Sequence, residues 1–264
     1  MDYVSILIAI AILGCIGAIF GVILGIASKK FHVETDERVE RVRECLGGAN
    51  CGACGFAGCD AFAAAVVAGE AKPNGCPPGG AAAAERIGEI LGVSVEYSEK
   101  KVATLLCLGT RAVAKDRYAY EGLSSCRAAA GLAGGPKQCV YSCIGLGDCV
   151  TKCSFGAIKI SNGIAEIDTQ KCGGCGTCVE ACPRSAIELL PISANTVVKC
   201  RNKDVGRAAV AVCMMACIGC KRCEKECETD AIKVVDGSAR IDYTRCTRCG
   251  KCAAVCPRKC IEYR

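Results

Sequence analysis

Cysteine dominates the chemistry open to this sequence: it fills 27 of 264 positions, against a single histidine, His32. Nearly all of these thiols recur at C-x2-C and C-x3-C spacings, short enough for one segment to wrap a metal centre. With one imidazole the sites must be essentially all-thiolate, which excludes His-ligated zinc, haem and Rieske centres. A disulfide framework would need an oxidising compartment and leaves the short recurring spacings unexplained. The rest of the composition points the same way. Aromatic residues make up 5%, Trp is absent and Gly numbers 31, poor material for one large core. Metal–thiolate bonds must therefore supply much of the folding free energy, spread over two or three small domains.

The first candidate set is Cys51-x2-Cys54-x4-Cys59, completed by Cys76 just before Pro77 and Pro78. Glycines at 52, 55 and 58 allow tight turns and leave amide N–H groups free for sulfur. A C-x2-C pair alone would fit a zinc knuckle or a redox dithiol equally well. Around it the pattern predicts a charged helix over 34–46, with Val39, Val42 and Leu46 on one stripe, and a short Ala-rich helix over 61–69.

The C-terminal half repeats itself at 74 residues, from Cys126 through Cys182 onto Cys200 through Cys256, with Pro183-Arg184 returning as Pro257-Arg258. Each repeat carries the bacterial ferredoxin run, in which three cysteines bind one cluster and the fourth crosses to the other. In the second repeat this gives Cys217, Cys220, Cys223 and Cys256 for one cluster, and Cys246, Cys249, Cys252 and Cys227 for another. In the first repeat Cys172, Cys175, Cys178 and Cys153 make a complete set. The remaining set is irregular, because Leu146 stands where the repeat has Cys220 and leaves Cys143, Cys149 and Cys182 one ligand short. Cys139 is the nearest substitute; a three-iron cluster or a missing centre is the alternative. Five four-iron clusters would use 20 of the 27 cysteines. Cys15, Cys45 and Cys260 read as packing residues. Cys107 has no legible motif, and Cys126, Cys200 and Cys213 read as buried thiols, with a sixth centre as the other possibility. Short β-like stretches at 157–160, 164–167, 232–235 and 239–243 fit small ferredoxin hairpins.

At the other end, Tyr3 to Ala27 are 25 consecutive uncharged positions. As a helix they would span about 37 Å, more than a roughly 30 Å hydrocarbon core. A cleavable signal peptide would start with positive charge and carry a shorter apolar run. Asp2 before the span and Lys29 and Lys30 after it place the bulk of the chain on the cytoplasmic side of the cell membrane as a single-pass protein. Gly17, Gly21 and Gly25 form a stripe that suits a partner helix. No ionisable group lies in the span, so this chain alone offers no ion route.

The helix, the Gly48-Ala49-Asn50-Cys51-Gly52-Ala53-Cys54-Gly55-Phe56-Ala57-Gly58-Cys59 stretch and the ferredoxin runs, taken together, resemble the B subunit of the Rnf complex over nearly the whole chain. The resemblance implies an electron-transport subunit of an ion-translocating ferredoxin:NAD oxidoreductase, of the translocase class, moving sodium or protons. It implies 4Fe-4S clusters as the cofactors, on the cysteines already named. Its implied partners are soluble ferredoxin and the other membrane and peripheral subunits. The expected fold class is α+β: an anchor (1–28), a four-cysteine 4Fe-4S domain (29–95), a linker of unclear fold (96–135) and two ferredoxin-like domains (136–190 and 200–264). No G-x-G-x-x-G after a strand, phosphate loop or acid–base constellation is present, so no catalytic residue and no nicotinamide, flavin or nucleic-acid site is expected here. A regulatory or assembly scaffold without electron relay is the alternative function. Charge is uneven: residues 126–190 hold six Lys/Arg against five Asp/Glu, whereas residues 200–264 hold fourteen against eight. A basic patch of Lys221, Arg222, Lys225, Arg245, Arg248 and Lys251 would steer an acidic ferredoxin.

Overall fold

In the computed structural model the described residues are 3–30, 36–96 and 99–264. Helix α1 (Tyr3–Lys30) runs for 28 residues with no proline to break it. Its described side chains, Tyr3 and Ile12 to Ala27, are nearly all exposed, including Leu13 at 69% and Leu24 at 66%. Among the residues whose side chains are described, no helix is long and apolar enough to cross a membrane. The side chains of 4–11 and 28–30, with Lys29 and Lys30, fall outside that set, and Asp2 and His32 lie outside the described residues altogether. The expected span thus rests on the sequence.

Three helices, α2 (Glu37–Glu44), α3 (Cys59–Val67) and α4 (Gly80–Leu91), build the next unit. Asp36 caps α2, its Oδ1 accepting from the Arg38 amide at 2.9 Å, while Glu37 and Glu40 in the first turn suit the helix dipole. Val42, Phe62 and Ile87, each at most 1% exposed, join the three helices. Half-buried Cys54, Cys59 and Cys76 pack on that core, and Phe56 meets Phe62 edge-on at 5.7 Å between centroids.

Two modules of one design follow. The first holds β1 (Lys101–Leu105), α5 (Cys126–Gly131), α6 (Asp148–Thr151), β2 (Ile158–Ser161), β3 (Ile164–Ile167), α7 (Thr177–Ala181) and β4 (Ile187–Pro191). The second holds β5 (Thr196–Val198), α8 (Gly206–Val212), α9 (Arg222–Glu226), β6 (Ile232–Val235), β7 (Ser238–Ile241), α10 (Lys251–Ala254) and β8 (Ile261–Tyr263). Each has an outer antiparallel pair, β1–β4 with Leu105 opposite Ile187 and β5–β8 with Val198 opposite Ile261. Each also has an inner hairpin, β2–β3 or β6–β7. The hairpins turn on Asn162-Gly163 and Asp236-Gly237, all four at positive φ, as a two-residue turn matched to strand twist requires. The close approach of the cluster loop to this turn explains Gly145 (φ +84°): a Cβ there would strike the Gly163 carbonyl oxygen.

Strand β1 changes the expected boundaries. Residues 96–135, read as a linker, contain the first strand of the first module, because β1 pairs with β4 across more than eighty residues of chain. The spacing from Cys107 to Cys139 is 32 residues and that from Cys200 to Cys213 is 13, so the first module carries an insertion of 19 residues, which includes α5. The cores of both modules consist largely of cysteines and small aliphatics, such as Cys149, Cys178, Ala157 and Ile187 in the first. The modules join where the Met214 amide donates to the Val113 carbonyl (3.1 Å) and the Lys115 amide to that of Val212 (3.1 Å). Arg201 meets Glu188 across the same junction at 2.9 Å.

Candidate metal centres

The loop 50–59 and the segment carrying Cys76 bring the first four thiols together. Burial raises the Cys76 pKa, and Cys59, Cys54 and Cys51 raise it further as neighbouring charges. Asn50, at φ +45°, shapes the loop, its Oδ1 accepting from the Cys59 amide at 2.8 Å.

In the second module the crossed sets assemble. Burial pushes the Cys223 thiol up to about 12, and the neighbouring thiols that add to this are Cys217, Cys220, Cys252 and Cys256. Cys217, Cys220, Cys223 and Cys256 line one cavity with Val234, Ala239 and Ile261. Cys252, pushed up to about 11 by burial, is further raised by Cys246, Cys227 and Cys249. In the first module Cys178, raised to about 11 by burial, has Cys172, Cys175 and Cys153 beside it. Backbone donors already face the sulfurs: the Ala103 amide donates to Cys172 and the Ala186 amide to Cys182, both at 3.4 Å.

The irregular set differs from the expectation. Cys149, raised to about 12 by burial, has Cys126 as its foremost charged neighbour, then Cys182 and Cys178. Cys139 instead has Cys107 and Cys213 as its foremost thiol neighbours. The insertion explains the exchange. Ser125 caps α5, and Asp148 beside Cys149 accepts from the amides of Cys126 (2.9 Å) and Arg127 (3.0 Å), which fastens the inserted helix to the cluster loop. Cys126 then packs with Ile144 and Leu146, beside the position where the ligand is missing. Spacing gave no sign of this: the 74-residue register sets Cys126 against Cys200, whereas the strand pairing matches Cys200 to Cys107 and leaves Cys126 in a segment the other repeat lacks.

Among the described residues no group of three or more His, Cys, Asp or Glu closes tightly enough to hold a single metal ion. A four-iron cube is larger than one ion, and its thiolates stand correspondingly further apart. The sulfur-lined sites, some buried and some half-buried, with amide donors on sulfur, fit such a group.

Fold and thiol sets define a class, the multi-cluster iron–sulfur proteins built on ferredoxin-type modules. Family models agree along the chain: "Putative Fe-S cluster" matches residues 46–78, "4Fe-4S binding domain" 165–188 and "4Fe-4S dicluster domain" 216–260. The B subunit of the Na(+)-translocating ferredoxin:NAD(+) oxidoreductase complex of Acetobacterium woodii is 46% identical over 98% of this chain and 78% of its own length. The B subunit of the ion-translocating oxidoreductase complex of Methanosarcina acetivorans is 43% identical over 97% of both chains. The proton-translocating counterpart from Clostridium ljungdahlii is 41% identical over 98% of this chain and 92% of its own. The chain belongs to this family, the B subunits of the Rnf complexes.

Proposed function

We propose that this chain is the electron-transfer subunit of a membrane-bound, ion-translocating ferredoxin:NAD oxidoreductase, a translocase, relaying electrons from soluble ferredoxin towards other subunits. The observation that carries the reading is the gathering of five thiol sets, in each of which one thiol is crowded by its neighbours, in a chain of this family. When bound, each four-iron cluster takes up and gives back one electron. The ligand sets are Cys51/Cys54/Cys59/Cys76, Cys126/Cys143/Cys149/Cys182, Cys153/Cys172/Cys175/Cys178, Cys217/Cys220/Cys223/Cys256 and Cys227/Cys246/Cys249/Cys252.

The protein's own contribution is to hold these sulfurs, to donate amide hydrogens to them and to limit their contact with water, which together set the potential. Electrons enter at the second module. Of the ligands in the five sets, Cys220 and Cys249 are the exposed ones, and Lys221, Arg222, Lys225 and Arg245 around them are exposed and form no ion pair among the described residues. Helix α1 is the anchor: its 28 residues exceed the length of a bilayer core, and its uncharged stretch ends at Lys29-Lys30, which favours a cytoplasmic location for the rest. The coupling ion belongs to the whole complex, since relatives are named for sodium and for protons.

The test is metal and redox analysis of anaerobically purified, full-length protein. About 20 or more iron atoms and as many acid-labile sulfides per chain, with brown colour bleached reversibly by dithionite, are expected. A colourless zinc protein would overturn the reading.

A further inference from the structure

Four cysteines outside the five sets of the proposed function converge on one another. Cys107, Cys139, Cys200 and Cys213 are each no more than 9% exposed and line a single cavity at the junction of the two modules. They come from four separate segments, and none is in a disulfide. Their arrangement follows the duplication. Cys107 and Cys200 stand two residues beyond Leu105 and Val198, whose strand partners Ile187 and Ile261 are 74 apart. Cys139 and Cys213 are themselves 74 apart. Each module thus supplies the same two positions.

The surroundings are those of a charged sulfur group. The Cys107 sulfur accepts from the amides of Gly109 (3.2 Å) and Cys143 (3.4 Å), and the Cys200 sulfur from that of Cys217 (3.3 Å). The amide two residues beyond each of the other three thiols, at Tyr141, Asn202 and Met215, also donates to its sulfur. The same i+2 donation recurs at Cys217, Cys227 and Cys256 of the ferredoxin sets. Asn202, 1% exposed and lining the cavity, keeps an Nδ2 with no acceptor. Lys137, 5% exposed and near Cys213, has only the carbonyls of Gly109 (2.6 Å) and Gly163 (3.1 Å) and no carboxylate among the described residues. An unsatisfied amide and a buried ammonium both call for an anionic acceptor.

We propose that Cys107, Cys139, Cys200 and Cys213 hold a sixth four-iron cluster, shared equally by the two modules. It rests on the reading of the chain as an iron–sulfur protein, and it supplies a relay between the modules: one electron arrives and the same electron leaves, with no bond or proton exchanged. Sulfide or ligand sulfur accepts from Asn202, and the cluster's negative charge answers Lys137.

The test is iron and acid-labile sulfide per chain in the full-length protein and two variants. Cys107→Ala/Cys213→Ala should lose about four iron atoms relative to wild type and keep the remaining clusters reducible by dithionite, while Cys45→Ala keeps the wild-type count. An unchanged count in the double variant overturns the proposal. Should the double variant fail to fold, Cys213→Ser decides. An oxygen ligand is expected to retain the iron while shifting one reduced-state electron paramagnetic resonance signal, and a spectrum identical to wild type overturns the sixth site. Either negative result leaves the five-set reading standing, since that fails only if the wild type lacks iron or does not bleach.

Discussion

Asn50 occupies a left-handed conformation and turns its carboxamide onto the Cys59 amide, the donor that opens α3. Replacing it by Ala removes the acceptor and leaves a residue less tolerant of φ +45°. Asn50→Ala should cost about 1–2 kcal/mol of stability and speed iron release from the first cluster to a chelator. Thermal melts and chelation time courses read both effects. Cys126 makes a sharper case. Cys126→Ala should turn one four-iron cluster into a three-iron form, seen as a new paramagnetic signal in the oxidised protein. Adding Leu146→Cys should restore the fourth iron, because Leu146 holds the position that Cys220 fills in the other module and packs against Cys126. No rescue by Leu146→Cys would mean that Cys126 acts on packing alone. The regular sets of this proposal were open to reading from spacing, because three of their cysteines lie within seven residues and the fourth recurs at a fixed offset. Cys126 was not, because its approach depends on a helix fastened by Asp148, a tertiary contact that no spacing rule carries.

The elements show the same division between local and distant information. Both inner hairpins announce themselves by apolar alternation around Asn-Gly and Asp-Gly, and they form where expected to within two residues. The outer pairs β1–β4 and β5–β8 do not, since their partners lie far apart in sequence and β5 and β8 have only three residues each. Helix α4 was also missed, although Ala83, Ala84 and Ile87 follow a helical spacing; its Gly-Ala-rich start resembles a loop. A fragment covering 99–264 should therefore fold and hold the clusters of both modules. One covering 136–264, the boundary read from sequence, lacks β1 and Cys126, leaves β4 unpaired and should aggregate with several iron atoms missing. Size-exclusion profiles and iron content of the two fragments separate these outcomes. Gly145→Ala should lower stability by roughly 1–3 kcal/mol, through a positive φ and a Cβ driven into the Gly163 carbonyl. A melting temperature unchanged from wild type would contradict that packing.

For the molecule as a whole, charge and the anchor decide its place among its partners. The second repeat has a net charge of +6 and the first +1, from fourteen Lys/Arg against eight Asp/Glu and six against five. Reversing Lys221, Arg222 and Arg245 to Glu should slow reduction by an acidic ferredoxin by about tenfold or more at low salt and flatten its ionic-strength dependence. Reduction by dithionite should stay near wild type, and stopped-flow traces across a salt series distinguish the two. Removing residues 1–35 should leave a brown, reducible protein that no longer sediments with membranes, because no described side chain of α1 joins a core of the other units.

The shared cavity at the junction also bears on how such a chain is made. Cys51 to Cys76 are all present once 76 residues have left the ribosome, but Cys107 must wait for Cys213, more than a hundred residues later. Iron delivered early can fill the first domain and must leave the junction alone. The junction thus closes after the first domain but ahead of the last two sets, which wait for Cys252 and Cys256, so a chain loaded in order of synthesis draws its two modules together before the second has all its ligands.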